Sequence, residues 1–198
     1  MKNAPLRVLA VVGSLNKLSV TRTGVIHLVS NLKSPECRVD LLDLSREPMD
    51  LFNSDTSYHD PGYKKLRNRV HRADVLVLGT PDYHGSMSGV MKNFLDHFWT
   101  EFAGKLFATV VASHEKGLTV TDQLRTVARQ CYAWSLPYGV SIAEREDIVD
   151  GKISSDSLRN RLTMMARDIQ VYGALLTKQR VNDLEGTEPG FMARYRKK

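Results

Sequence analysis

The sequence predicts an α/β fold, a doubly wound sheet of five parallel strands in the order 2-1-3-4-5. Three observations point there. Five short, continuously apolar runs read as strands buried on both faces. Segments whose apolar residues recur every three or four positions separate them. The chain has 198 residues, enough for one well-filled α/β domain and short for two. Strand followed by helix, repeated along the chain with right-handed crossovers, leaves few possible strand orders at this length.

Each element follows in turn. The strands are expected at residues 7–12, 39–44, 75–79, 106–112 and 134–140. The first helix carries Val25, Leu28, Val29 and Leu32, and the second Tyr63, Leu66 and Val70. The third carries Val90, Met91, Phe94, Leu95 and Phe98, the fourth Val120, Leu124, Val127, Ala128 and Cys131. The last repeats at Leu158, Leu162, Met165, Ile169, Tyr172 and Leu176. Residues 47–61 and 144–157 are polar and aperiodic and are expected as loops. From Asn182 onward, Gly186, Pro189 and Gly190 rule out one continuous helix. The expectation is a single domain over residues 1–181 and a basic tail over 182–198.

Composition narrows the function classes. Hydrophobic residues make up 42% and charged residues 25%, which suits a packed core and not a disordered chain. The net charge is +6, but Arg194, Arg196, Lys197 and Lys198 lie in the last five positions. Without them 24 basic residues face 22 acidic ones, so the basic excess is a tail property and no nucleic-acid partner is expected. No apolar run approaches the ~20 residues of a membrane span. The run at 8–12 is too short for an export signal. Cys37 and Cys131 form no CxxC, and a reducing, cytoplasmic setting is expected. The six histidines include no HExxH, so no metal site is expected.

Ligands of such sheets sit beyond the carboxyl ends of the strands, which directs attention to three loops. The first, residues 13–22, has Gly13 at a tight turn and hydroxyls at Ser14, Ser19 and Thr21 where a helix begins. Unpaired N–H groups and the positive dipole end favour a phosphate there. It is neither GxGxxG nor a loop ending in GK[ST]. The alternative is that Ser19 or Thr21 only caps the helix. The second loop follows the third strand, with Pro81, Asp82, Tyr83, His84, Gly85 and Ser86 leading to Ser88. Tyr83 suits the face or edge of a flat heterocycle, with backbone groups reading its polar rim. The alternative is an ordinary loop with Ser88 as a helix cap. The third loop holds Ser113, His114 and Gly117, where a glycine lets backbone approach a ligand. The alternative for His114 is a solvent-exposed loop residue.

On these motifs the chain resembles the NAD(P)H-dependent FMN reductases among the flavodoxin-like proteins, a family that includes quinone, azo-dye and chromate reductases. The resemblance covers roughly residues 5–142. The family's Gly-Ser-x-Arg-x-x-Ser-x-Asn is matched at Gly13, Ser14 and Ser19, with Asn16 in place of Arg and Thr21 in place of Asn. Its Pro-x-Tyr-Asn-x-Ser-x-Pro-Gly-x-Leu-Lys-Asn-x-x-Asp is matched at Pro81, Tyr83, Ser86, Gly89, Lys92, Asn93 and Asp96. There His84 replaces Asn and Ser88 replaces Pro. Of a third motif, a Ser followed by glycines, Ser113 and Gly117 remain, while residues 114–116 are larger than usual.

The resemblance implies a flavodoxin-like sheet and bound FMN. The phosphate would lie against backbone amides and Ser14, Asn16, Ser19, Val20 and Thr21, with Lys17 or Arg22 compensating for the missing arginine. The flavin ring would lie along Pro81, Asp82, Tyr83, His84, Gly85 and Ser86, with Ser113, His114 and Gly117 at its pyrimidine end. No side chain is required as a nucleophile or metal ligand, because the flavin carries the chemistry. NADPH or NADH would reduce it. A small electron acceptor, such as free flavin, a quinone, an azo compound, a metal oxyanion or oxygen, would then take the same face in a ping-pong sequence. A homodimer or homotetramer is implied. Lys92, Asn93 and Asp96 are expected to make contacts on a helix face. Phe94, Phe98, Trp99 and Phe102 are expected in the core or a subunit interface, and Trp134 and Tyr138 in packing. Rival readings are a non-enzymatic flavodoxin-like electron carrier, usually acidic where this chain is +6, and a flavin-binding redox sensor.

Overall fold

The computed structural model describes residues 4–32, 34–114 and 116–196. Lys197 and Lys198, named above, and Glu115, within the 114–116 stretch of the third motif, lie outside the described residues. The first half of the chain forms β1 (Leu6–Val12), α1 (Val20–Ser30), β2 (Cys37–Asp43), α2 (Pro61–Arg72), β3 (Val75–Tyr83), β4 (Ser86–Met87) and α3 (Gly89–Asp96). The second half forms β5 (Leu106–Ala112), α4 (Leu118–Gln130), β6 (Trp134–Ser135), β7 (Val140–Ile142), α5 (Glu144–Asp147), β8 (Ile148–Val149), β9 (Lys152–Ile153) and α6 (Asp156–Glu185).

The main sheet runs β2-β1-β3-β5-β6 with parallel pairing throughout, and β7 extends the β6 position along β5. Counting the five strand positions in chain order, this is 2-1-3-4-5, the flavodoxin-like order. Side chains alternate across each strand, so β1 feeds two cores. Val8, Ala10 and Val12 face Val25 and Leu28 of α1 and Leu158, Leu162, Met165 and Ile169 of α6. Leu9 and Val11 face Val70 of α2, Phe94 of α3 and Leu124 of α4. Each of these side chains other than Ala10 contributes about 1.5–3 kcal/mol by leaving water.

Five expectations change. The fifth strand is not one run over 134–140: Pro137 has no N–H to offer the ladder, and the chain leaves β5 after Leu136 and rejoins it at Val140. The third strand does not stop at 79 but continues to Tyr83 and turns back through β4. Residues 144–157 are not plain loop, since α5 and the β8–β9 hairpin lie there. Within 47–61, a 3-10 turn at Ser57–His59 precedes α2, which Asp60 caps by accepting the Tyr63 N–H at 3.0 Å. The last helix continues to Glu185, and a 3-10 turn follows at Phe191–Tyr195. Among the described residues, no helix is long and apolar enough to cross a membrane.

Candidate functional site

The turn between β1 and α1 is held from behind. Arg22 folds back under it, donating from Nε to Asp43 Oδ2 at 2.7 Å and from Nη2 to Asp43 Oδ1 at 3.2 Å and Ser45 Oγ at 2.8 Å. The same guanidinium reaches the carbonyls of Ser14 at 3.2 Å, Asn16 at 2.8 Å and Lys17 at 3.4 Å. Burial alone would raise the Asp43 pKa, but the hydrogen bonds from Arg22 and Ser45 outweigh it and hold the carboxyl below its ordinary range. Ser19 caps α1, accepting the Arg22 N–H at 3.1 Å. Asn16 Oδ1 accepts the Leu18 N–H at 2.9 Å.

After β3 the chain forms a two-residue hairpin. His84 and Gly85 have φ of +57° and +75°, the pair of positive values that a tight turn between twisted strands demands. A histidine tolerates this region better than most side chains, and a glycine adopts it without a Cβ clash. Asp82 ties the turn down: Oδ1 accepts the Gly85 N–H at 2.8 Å, and Oδ2 accepts the Ser113 hydroxyl at 3.0 Å. Gln123, on α4, clasps the far side. It donates to Gly85 O at 3.1 Å and accepts from Ser86 Oγ at 3.1 Å and Met87 N at 3.3 Å. Tyr83 is left 53% exposed. Ser88 caps α3 and donates to Gly13 O at 2.6 Å, so this serine joins the first loop to the second. After β5, Gly117 starts α4 at φ +59°, where a Cβ would stand 2.7 Å from Val111 Cγ1.

The three loops meet at a cleft of about 120 Å³ at the carboxyl ends of the central strands. Ser14, Asn16, Ser19, Val20 and Thr21 form one side, Pro81, Asp82 and Tyr83 another, and Ser113 and His114 a third. His84, Gly85, Ser86 and Gly117 do not line it; they shape the hairpin and the α4 start that border it. Lys17 and Arg22, expected to supply a cation, do not line it either, because Arg22 is committed to Asp43 and the loop carbonyls. Among the described residues, no Lys or Arg lines the cleft. Sequence reasoning missed Leu18, Ala112 and Glu144 in its walls. Glu144 follows β7 at the carboxyl edge of the sheet; its place after the fifth apolar run was the available signal. A larger cavity of about 520 Å³ lies against α2 beneath the segment that follows β2. It shares no residue with this cleft.

The neighbouring motif residues have structural partners. Asn93 accepts the Phe52 N–H at 2.8 Å and donates to Asp50 O at 2.9 Å, and Lys92 pairs with Asp96 at 2.6 Å. Phe94, Phe98 and Phe102 are core residues, whereas Trp99 is 60% exposed and outside it. Tyr138 donates to Asp168 at 2.7 Å, and the partly exposed Trp134 meets Phe191 edge-on.

The family model described as NADPH-dependent FMN reductase matches residues 6–147. An FMN-dependent NADPH-azoreductase of Staphylococcus haemolyticus (strain JCSC1435) is 31% identical over 137 residues, covering 65% of this chain and 72% of the relative. An NADPH azoreductase of Bacillus sp. (strain OY1-2) is 28% identical over 156 residues, covering 77% of this chain and 84% of the relative. An oxidoreductase structure from Corynebacterium diphtheriae has a TM-score of 0.75 at 20% identity, covering 87% of this chain and 99% of that one, a likeness of fold.

Proposed function

Because the chain belongs to the NADPH-dependent FMN reductase family, we propose that it binds FMN in this cleft and passes electrons from NAD(P)H to a small acceptor. An azo compound is the acceptor class we favour, since the relatives described above are named azoreductases. One observation carries the reading. Hydroxyls and a helix N-terminus on one side of the cleft face a half-exposed tyrosine on another, at the carboxyl ends of parallel strands.

The donor set suits a phosphate monoester. Ser14, Ser19 and Thr21 offer hydroxyls, and the first turn of α1 offers N–H groups with no partner inside the helix. Ser19 can cap and bind at once: its oxygen accepts the Arg22 N–H, and that bond does not use its own proton. Bound FMN would supply the redox chemistry, accepting hydride from a nicotinamide and releasing electrons to the acceptor. Tyr83 supplies a flat wall for the ring, and Asp82 holds that wall against Ser113. Asp82 and Glu144 make the cleft walls acidic.

The test is a flavin titration of the apoprotein, followed by NADPH addition without air. FMN should bind at least about tenfold more tightly than riboflavin, reflecting the charge-assisted phosphate bonds. NADPH should then bleach the visible flavin band. Riboflavin binding as tightly as FMN would remove the phosphate site, and an unbleached band would remove the reductase activity.

A further inference from the structure

We infer that Arg22 is the positioning residue for the FMN phosphate, acting from behind the loop rather than by touching the ligand; this rests on the FMN reading above. In a trans peptide, the carbonyl of one residue and the N–H of the next point in opposite directions. Arg22 draws the carbonyls of Ser14, Asn16 and Lys17 toward its guanidinium. That turns the N–H groups of Leu15, Lys17 and Leu18 away from it. Asn16 Oδ1 takes the Leu18 N–H at 2.9 Å, so the backbone around Ser14 and Asn16, which line the cleft, is fixed from behind. Val20 and Thr21 line the cleft, and their N–H groups, in the first turn of α1 and without partners inside the helix, are the donors that this fixed loop stands beside.

The guanidinium can do this because it is fixed. Asp43 meets it twice, at 2.7 and 3.2 Å, and Ser45 holds it at 2.8 Å while donating to Asp43 at 2.7 Å. Its charge is paired with Asp43 and it does not line the cleft, so it is not a phosphate ligand. Asn16 stands where the family motif has an arginine, and the loop that Arg22 and Asn16 together hold in shape serves in that arginine's place.

The test compares flavins and a simple anion. Arg22→Lys keeps the charge but loses the planar fork that meets three carbonyls and a carboxylate together. FMN affinity should fall by roughly tenfold or more, the scale of a lost charge-assisted hydrogen bond, while riboflavin affinity stays within about twofold. Equal losses for both flavins would mean that Arg22 only holds the fold together, and would overturn the proposal. Should Arg22→Lys not fold, Ser45→Ala removes one anchor and the same ratio applies. The wild-type protein supplies an independent measurement, its amide NMR spectrum titrated with inorganic phosphate. The Val20 and Thr21 signals should move, and in Arg22→Lys they should move less at the same phosphate concentration. Val20 and Thr21 amides that do not move, or that move as far in Arg22→Lys as in the wild type, would overturn the proposal even if FMN binds. Moving amides in a protein that fails to bind FMN would instead sink the FMN reading and leave an anion cradle shaped by Arg22.

Discussion

The Ser19 hydroxyl links helix stability to anion binding, and the two roles can be separated. Ser19→Asp keeps an oxygen that caps α1, so the melting temperature should hold, where Ser19→Ala would lose about 1 kcal/mol. The added carboxylate repels a phosphate, so FMN affinity should drop while riboflavin affinity does not. Flavin affinity that simply followed the melting temperature would leave Ser19 as a cap alone. Asp43 makes a second separable claim. Its pKa is lowered in the folded protein despite burial, because Arg22 and Ser45 bond its charged form. The native state therefore binds fewer protons than the unfolded state between the two pKa values. The stabilisation is complete above the unfolded value near 3.8 and is lost as pH falls through the native one. Asp43→Asn should cost about 2–3 kcal/mol at pH 7, since a partly buried guanidinium loses its partner. The gap from wild type, read from melting temperatures, should close below pH 4; a gap of constant size would contradict the ion-pair account. Ser14, Ser19 and Thr21 were legible as loop hydroxyls. The Arg22–Asp43 pair was not, because its members lie 21 residues apart on different elements and neither sits in a motif that pairs them.

At the scale of the element, the β3–β4 hairpin sets where Tyr83 stands. Its turn needs positive φ at two successive residues, the geometry for which Asn-Gly is the preferred pair. His84→Asn should thus preserve or slightly raise stability, with FMN affinity unchanged. Gln123→Ala removes the bonds to Gly85, Ser86 and Met87 without touching the cleft walls. Hydrogen exchange at Met87 should quicken by one to two orders of magnitude, the scale of about 1–3 kcal/mol of local stability. FMN affinity should fall several-fold through the loosened hairpin. Unchanged exchange at Met87 would show that α4 does not hold the turn. Residues 75–79 were legible as a strand because five buried residues in a row have no helical period. The extension to Tyr83 was hidden because Pro81 reads as a stop. The β8–β9 hairpin was hidden for another reason: strands of two residues carry too little alternation to be seen. The split of the fifth strand was marked by Pro137, inside a run that otherwise looks continuous.

Over the whole molecule, the candidate site and the C-terminal segment occupy opposite ends of the sheet. The cleft lies at the carboxyl ends of the strands, where Ala112 closes β5. The C-terminal 3-10 turn docks at the amino end, where Leu106 of β5 pairs with Trp134 of β6. Phe191 stacks on Tyr132 with centroids 6.3 Å apart, the Arg194 guanidinium sits 4.6 Å over the Tyr132 ring, and Met192 is 2% exposed. Burial on both faces of the sheet was legible from the continuous apolar runs of β1 and β3, but this docking was not, since the basic composition of the last residues masks an apolar face at Phe191 and Met192. The charge excess and the packing therefore belong to the same short segment, and truncation separates them from the site. Removing residues 187–198 should cost about 3 kcal/mol from the lost burial of Phe191 and Met192, or roughly 5–10 °C in melting temperature. Trp134 fluorescence should shift to longer wavelength as its edge contact with Phe191 is lost. FMN affinity, measured below the new melting temperature, should stay within about twofold, because none of the segment's described residues lines the cleft. A loss of FMN affinity as large as the loss of stability would show that the sheet transmits strain from its amino end to its carboxyl end.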